Sequence, residues 1–179
     1  MERKPPESFQ SLINGWIKES DRGCVLIAAA YLENVLETLL RRYFSGDTNC
    51  VKKAVEPLFQ IMGPLSSFSA KIKLVFALQL VDDDQYHDLE IVRKIRNTFA
   101  HSFEEASFSS QEIADQISSL TSYDRAAQNV NLEDFTSSAD DPDGTLIEIH
   151  EVKLLFLVAV ADLIGFLHST NEAIAQNAR

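Results

Sequence analysis

Glycine and proline are scarce in this chain, 6 and 5 in 179 residues. With so few breakers, long segments are free to run as helix, which favours an all-α class over one built from short strands and turns. Cysteine is scarcer still. Cys24 and Cys50 are the whole complement. No C-x-x-C spacing suggests zinc, and two thiols make no disulfide framework, so both read as reduced thiols of a cytosolic protein. Positive charge is also short: 16 Lys and Arg face 27 Asp and Glu, a net charge of −11. The deficit is uneven. Through Val81 the chain holds 10 basic and 8 acidic residues; from Asp82 onward it holds 6 against 19, a balance of −13. Proteins that grip duplex DNA through its phosphates normally present a basic face, so direct DNA binding is disfavoured. The longest apolar run, Leu154 to Ala161, is interrupted by Asp162 and resumes from Leu163 to Leu167. That falls short of the roughly 20 residues a membrane span needs and reads as a buried helix. The first six residues carry no apolar core and form no signal peptide. No glycine-rich phosphate loop, Gly-x-Ser-x-Gly elbow or Walker-type lysine is present, and no helix-turn-helix with a basic reading helix. No internal repeat stands out.

What is present is helical periodicity. Apolar residues make up 45% of the chain, ordinary for a globular core. Residues 1–7 read as a flexible arm, and 8–179 as a single helical domain. Apolar spacing predicts helices from Ser8 to Ser20, Arg22 to Phe44 (capped by Ser20 or Asp21), and Asn49 to Met62. Gly63-Pro64 breaks the chain, and Ser66 or Ser67 starts a helix reaching Val81. The acidic turn Asp82-Asp83-Asp84 precedes a helix carrying Arg96 and His101. Ser109 and Glu112 have capping-box spacing for a helix to Leu120. Residues 122–146 read as a mobile acidic loop, with a short extended piece at Ile147 to Ile149, and a last helix spans Glu151 to Ala175. The expected architecture is a bundle of six to seven helices with a long polar loop before the last. The wide apolar stripes of the second and last helices predict a homodimer.

The most informative stretch is Ile91 to His101. Leu89, Val92, Ile95 and Phe99 form one buried face, yet Arg93, Arg96, Asn97 and His101 lie close beside it. Buried polar groups must be hydrogen-bonded, so this cluster either braces the fold or forms a site. Arg93, Asn97 and His101 share one stripe, whereas Arg96 and His101 point about 140° apart on a straight helix. They converge only if the helix ends at Ala100 or if two chains meet. As a site, His101 would move protons while Arg96 and Asn97 steady phosphoryl charge. As a brace, Arg96 would pair with Glu33 or Glu37. Those two carboxylates stand one helical turn apart and repel unless a cation sits between them. Glu37 can reach Arg41, and Glu33 an arginine of a neighbouring helix such as Arg93. No histidine stands at metal-bundle spacing, so neither a metal nor another cofactor is expected. The acids Asp82, Asp83, Asp84 and Asp88, with His87, read as a solvated turn capping the following helix.

Three segments, Arg22 to Glu37, Gly63 to Leu74 and Ile91 to His101, together resemble the mannitol operon repressor (MltR) family over roughly residues 20–122. The resemblance implies an all-helical bacterial cytoplasmic protein that represses transcription without a recognisable DNA-binding motif. Repression would then run through a protein partner, with no membrane, no cofactor and no catalysis. A second, shorter resemblance lies in Arg96-Asn97-Thr98-Phe99-Ala100-His101, which fits the R-x4-H motif of HEPN domains. It implies a metal-independent endoribonuclease of a toxin–antitoxin or defence system, with Arg96, Asn97 and His101 catalytic across a dimer and RNA as substrate. The first resemblance covers about a hundred residues and the second six, so the regulator is the preferred expectation.

Overall fold

The computed structural model describes residues 7–44, 49–101, 106–123 and 151–177. Among these the chain forms seven helices and no strand: α1 (Glu7–Trp16), α2 (Asp21–Tyr43), α3 (Asn49–Phe59), α4 (Phe68–Ala77), α5 (Asp83–His101), α6 (Gln111–Ser118) and α7 (Glu151–Asn177). The expected all-α bundle is observed. The N-terminal arm through residue 6, nearly all of the acidic loop and the Ile147–Ile149 segment lie outside the described residues.

Helix α2 occupies the centre. Cys24, Val25, Ala28, Leu32, Leu36, Leu39 and Leu40 recur at helical spacing, and all are fully buried. The helix packs most extensively on α7 and then on α5 and α4. Helix α7 is apolar on nearly every side from Leu154 to Leu167, consistent with a core helix. By length and composition, Asp21–Tyr43 and Glu151–Gln176 are long and apolar enough to cross a bilayer, more than the interrupted run suggested. In the bundle, 50% and 61% of their most apolar windows are buried, against one another and against the neighbouring helices. Phe99 of α5, Phe108 and Phe156 of α7 pack in series as tilted rings with centroids 5.5 and 5.7 Å apart, all three fully buried. Each such ring contributes roughly 1.5–3 kcal/mol by burial.

The helix ends follow local chemistry. Ser20 caps α2, its hydroxyl accepting from the Gly23 amide at 3.1 Å, and Ser67 caps α4 by accepting from Ala70 at 3.2 Å. Asp82 and Gln85 form a reciprocal capping box. The Asp82 carboxylate accepts from the Asp84 and Gln85 amides at 3.0 and 3.1 Å, and Gln85 Oε1 accepts from the Asp82 amide at 3.2 Å. The box expected at Ser109 and Glu112 is absent. Ser110 is the N-cap and makes no side-chain cap bond, while Ser109 donates its amide to the Ser107 hydroxyl. Helix α4 stops four residues before Val81. Leu80 donates to Val75 O and Gln79 to Phe76 O, with Gln79 at φ 54°, so a left-handed cap closes the helix. Helix α3 ends at Phe59 rather than Met62. Met62 stands at φ 72° in the turn that follows, and a Cβ on Gly63 would lie 2.5 Å from Leu58 O. Only glycine fits there.

Candidate functional site

The charges on the inner helices resolve into two arrangements. The first lies between α2 and α4. Lys71 is only 4% exposed, and its Nζ sits 2.8 Å from Glu33 Oε1 and 3.0 Å from Glu37 Oε2. A cation does stand between the two carboxylates, but it is Lys71 and not an arginine of α5. Arg41 extends the network, with Nε 2.8 Å from Glu37 Oε1 and Nη1 2.8 Å from Glu56 Oε2 of α3, and its guanidinium lies 4.4 Å from the Phe59 ring centre. Burial pushes the Glu37 carboxyl upward, but the hydrogen bonds from Arg41 and Lys71 outweigh it and hold the group below its ordinary range. The same Glu37 contact, set against burial, raises Arg41 further. This arrangement braces α2 against α4 and reaches α3 through the exposed Glu56.

The second arrangement is the outward stripe of α5. Helix α5 runs unbroken from Asp83 to His101, so it does not end at Ala100. Arg96 and His101 therefore keep their wide angular offset within one chain. Arg93 is not paired with Glu33 or Glu37; it clasps Glu90 one turn back, Nη2 to Oε2 at 2.7 Å, and that hydrogen bond raises its pKa. Arg96 Nη1 donates to Asn97 Oδ1 at 3.0 Å, and no carboxylate among the described residues pairs with Arg96. Asn97 is half-buried and His101 is exposed. The structure thus joins Arg96 to Asn97, sets His101 apart at the helix end, and separates both from Glu33 and Glu37.

Two further polar nodes, one buried and one half-buried, were not legible in the motifs. Asp88, 2% exposed, accepts from the Thr121 amide at 2.7 Å and the Ser122 hydroxyl at 3.0 Å, tying α5 to the segment after α6. It belongs to no solvated turn. Its spacing of four from Val92 and seven from Ile95 continues the buried stripe, and that was the available signal. Asp21 accepts from the Ser107 hydroxyl at 3.0 Å and the Phe108 amide at 3.1 Å, and Lys153 of α7 approaches it at 3.6 Å. Beside it Cys24 is fully buried, and burial pushes its thiol up to about 12; Cys50 is exposed. Among the described residues, no group of three or more His, Cys, Asp or Glu is placed to hold a metal ion.

A family profile described as mannitol repressor matches residues 17–168, most of the chain, with helices α2 to α6 and most of α7. The chain belongs to the mannitol repressor family. Mannitol operon repressors of two Escherichia coli strains, K12 and O6:H1, are each 32% identical to it over 92 residues, 51% of this chain and 47% of theirs. The chain thus spans about half the length of the curated relatives it matches. Two solved structures share the fold at low identity. One is the X-ray structure of the MtlR–HPr complex from Escherichia coli, at TM-score 0.66 and 20% identity, covering 89% of this chain and 98% of that one. The other is a possible transcriptional regulator, YggD, from Shigella flexneri, at TM-score 0.67 and 19% identity, covering 93% and 99%. The α2–α4 brace and the Phe99–Phe108–Phe156 series are scaffold elements of this bundle.

Proposed function

We propose that this chain is a transcriptional regulator of a mannitol or related sugar-alcohol operon, acting in the bacterial cytoplasm through a protein partner rather than by gripping DNA. The family match over residues 17–168 carries this reading. The net charge of −11 and the lack of a basic reading helix support the indirect route. The fold shared with the chain in the MtlR–HPr complex makes HPr the first partner to test. We take residues 8–179 as one functional unit that works as a homodimer.

Three measurements test the reading. Deleting the gene should raise expression of a mannitol operon reporter, and the purified chain should bind HPr of its own organism in calorimetry. It should give no sequence-specific shift of operator DNA in a salt-titrated gel. Nanomolar, sequence-specific DNA binding by the chain alone would overturn the indirect route.

A second reading rests on the Arg96–Asn97 contact, which leaves a guanidinium without a carboxylate partner among the described residues. Such a group suits a phosphate, and two chains meeting at α5 would supply His101 from the other copy. Cleavage of structured RNA in EDTA, lost in His101→Ala, would support it; no cleavage by the wild type removes it.

A further inference from the structure

The corner where α4 turns into α5 faces an exposed aromatic of α7. Together they line an open groove, with Phe76, Leu80 and Phe166 as its apolar lining and Gln79, Asp82 and Asp83 as its polar lip. Phe166 is 36% exposed, although most of the residues preceding it on α7 are buried in the core. The lining is ordered from beneath. Phe76 stacks on Tyr86 with ring centres 4.2 Å apart, and Val81 is 4% exposed. The lip is rigid as well. Gln79 closes α4 at φ 54°, a conformation in which glycine is the usual residue, and the Asp82–Gln85 box fixes the next turn. No Lys, Arg or His lines the groove, and its two charged groups are both carboxylates.

We propose that this groove docks the regulatory protein partner, taking a surface on which an apolar side chain is flanked by lysine or arginine. The inference rests on the partner-mediated reading above. Charge complementarity decides the occupant. An apolar anchor covers Phe76, Leu80 and Phe166, and flanking cations meet Asp82 and Asp83. An acidic surface, or nucleic acid, would bring like charge onto the same two carboxylates and is repelled. A second copy of this chain fits poorly, because its own balance from Asp82 onward is −13.

The test titrates HPr into isotope-labelled wild-type chain and follows amide shifts, with affinities from calorimetry. Asp83→Lys should weaken binding about tenfold, mostly in the on-rate and more at low salt than at high. Phe166→Ser should weaken it by about tenfold or more, with little salt dependence. Glu112→Lys makes the same charge change on the exposed face of α6 and should bind as wild type does. Amide spectra of each variant confirm that the bundle is intact. Shifts clustered at residues 76–83 and around Phe166, with this order of variants, support the groove. HPr binding with shifts elsewhere, or unaffected by Asp83→Lys and Phe166→Ser, overturns the groove and leaves the partner reading standing. No HPr binding by the wild type overturns both.

Discussion

The α2–α4 contact and the outer stripe of α5 use the same residue types to opposite ends. Between α2 and α4, a lysine 38 residues distant in sequence from Glu33 is buried and shared by two carboxylates. Along α5, Arg93 and Arg96 find their partners one turn or one residue away on their own helix. A charge that must leave water is held by tertiary structure, and removing its partner strands it there. A charge that stays half in water settles locally and costs little to change. Being near an apolar face therefore does not make a polar residue a brace; burial of the charged tip does.

The sharpest way to break the contrast is Lys71→Met. It leaves Glu33 without a cation and Glu37 with Arg41 alone, and should destabilise the fold by about 3 kcal/mol, the low end for a broken buried pair because both carboxylates keep some solvent. Urea unfolding measures this, and a loss no larger than that of a surface change would erase the distinction. Glu37→Gln should cost about 1 kcal/mol at neutral pH, and its effect should depend on pH. A carboxyl whose folded pKa lies below its ordinary 4.5 stabilises the fold above that value and loses the contribution as pH falls through the folded one. The gap between wild type and Glu37→Gln should thus be widest above pH 4.5 and close below it. Arg96→Ala should change stability by less than about 0.5 kcal/mol, as for a residue bonded only to its neighbour. A larger loss in a thermal melt would move Arg96 into the braced class. Glu90→Gln should be smallest, about 0.3 kcal/mol and fading in high salt, since it disrupts a local helical pair.

The same contrast explains how much was legible in the sequence. Helix periodicity is written locally, so all seven helices were expected close to where they stand, and the serine caps of α2 and α4 followed from residue chemistry. The ends of α3 and α4 were misplaced because each depends on one left-handed residue, Met62 or Gln79, neither of them the usual glycine. The need for a cation between Glu33 and Glu37 was local and legible. Its identity was not, because only the packing of α4 on α2 selects Lys71. The R-x4-H spacing drew attention to Arg96 and His101, yet spacing on one helix cannot bring together residues that the helix itself turns apart. The groove at the α4–α5 corner left no motif, since Phe166 joins it from 83 residues beyond Asp83.

The two cysteines, unremarkable as chemistry, form a clock. Cys50 lies open on α3 and should react with a thiol reagent as fast as a free peptide does. Cys24 lies in the first turn of α2, fully buried and with its thiol pushed up to about 12, so it reacts when that end of the bundle opens. With reagent in excess, the interval between the first and second modification, followed by mass, then reports how often that end of the bundle opens, and whatever partner steadies it should lengthen the interval.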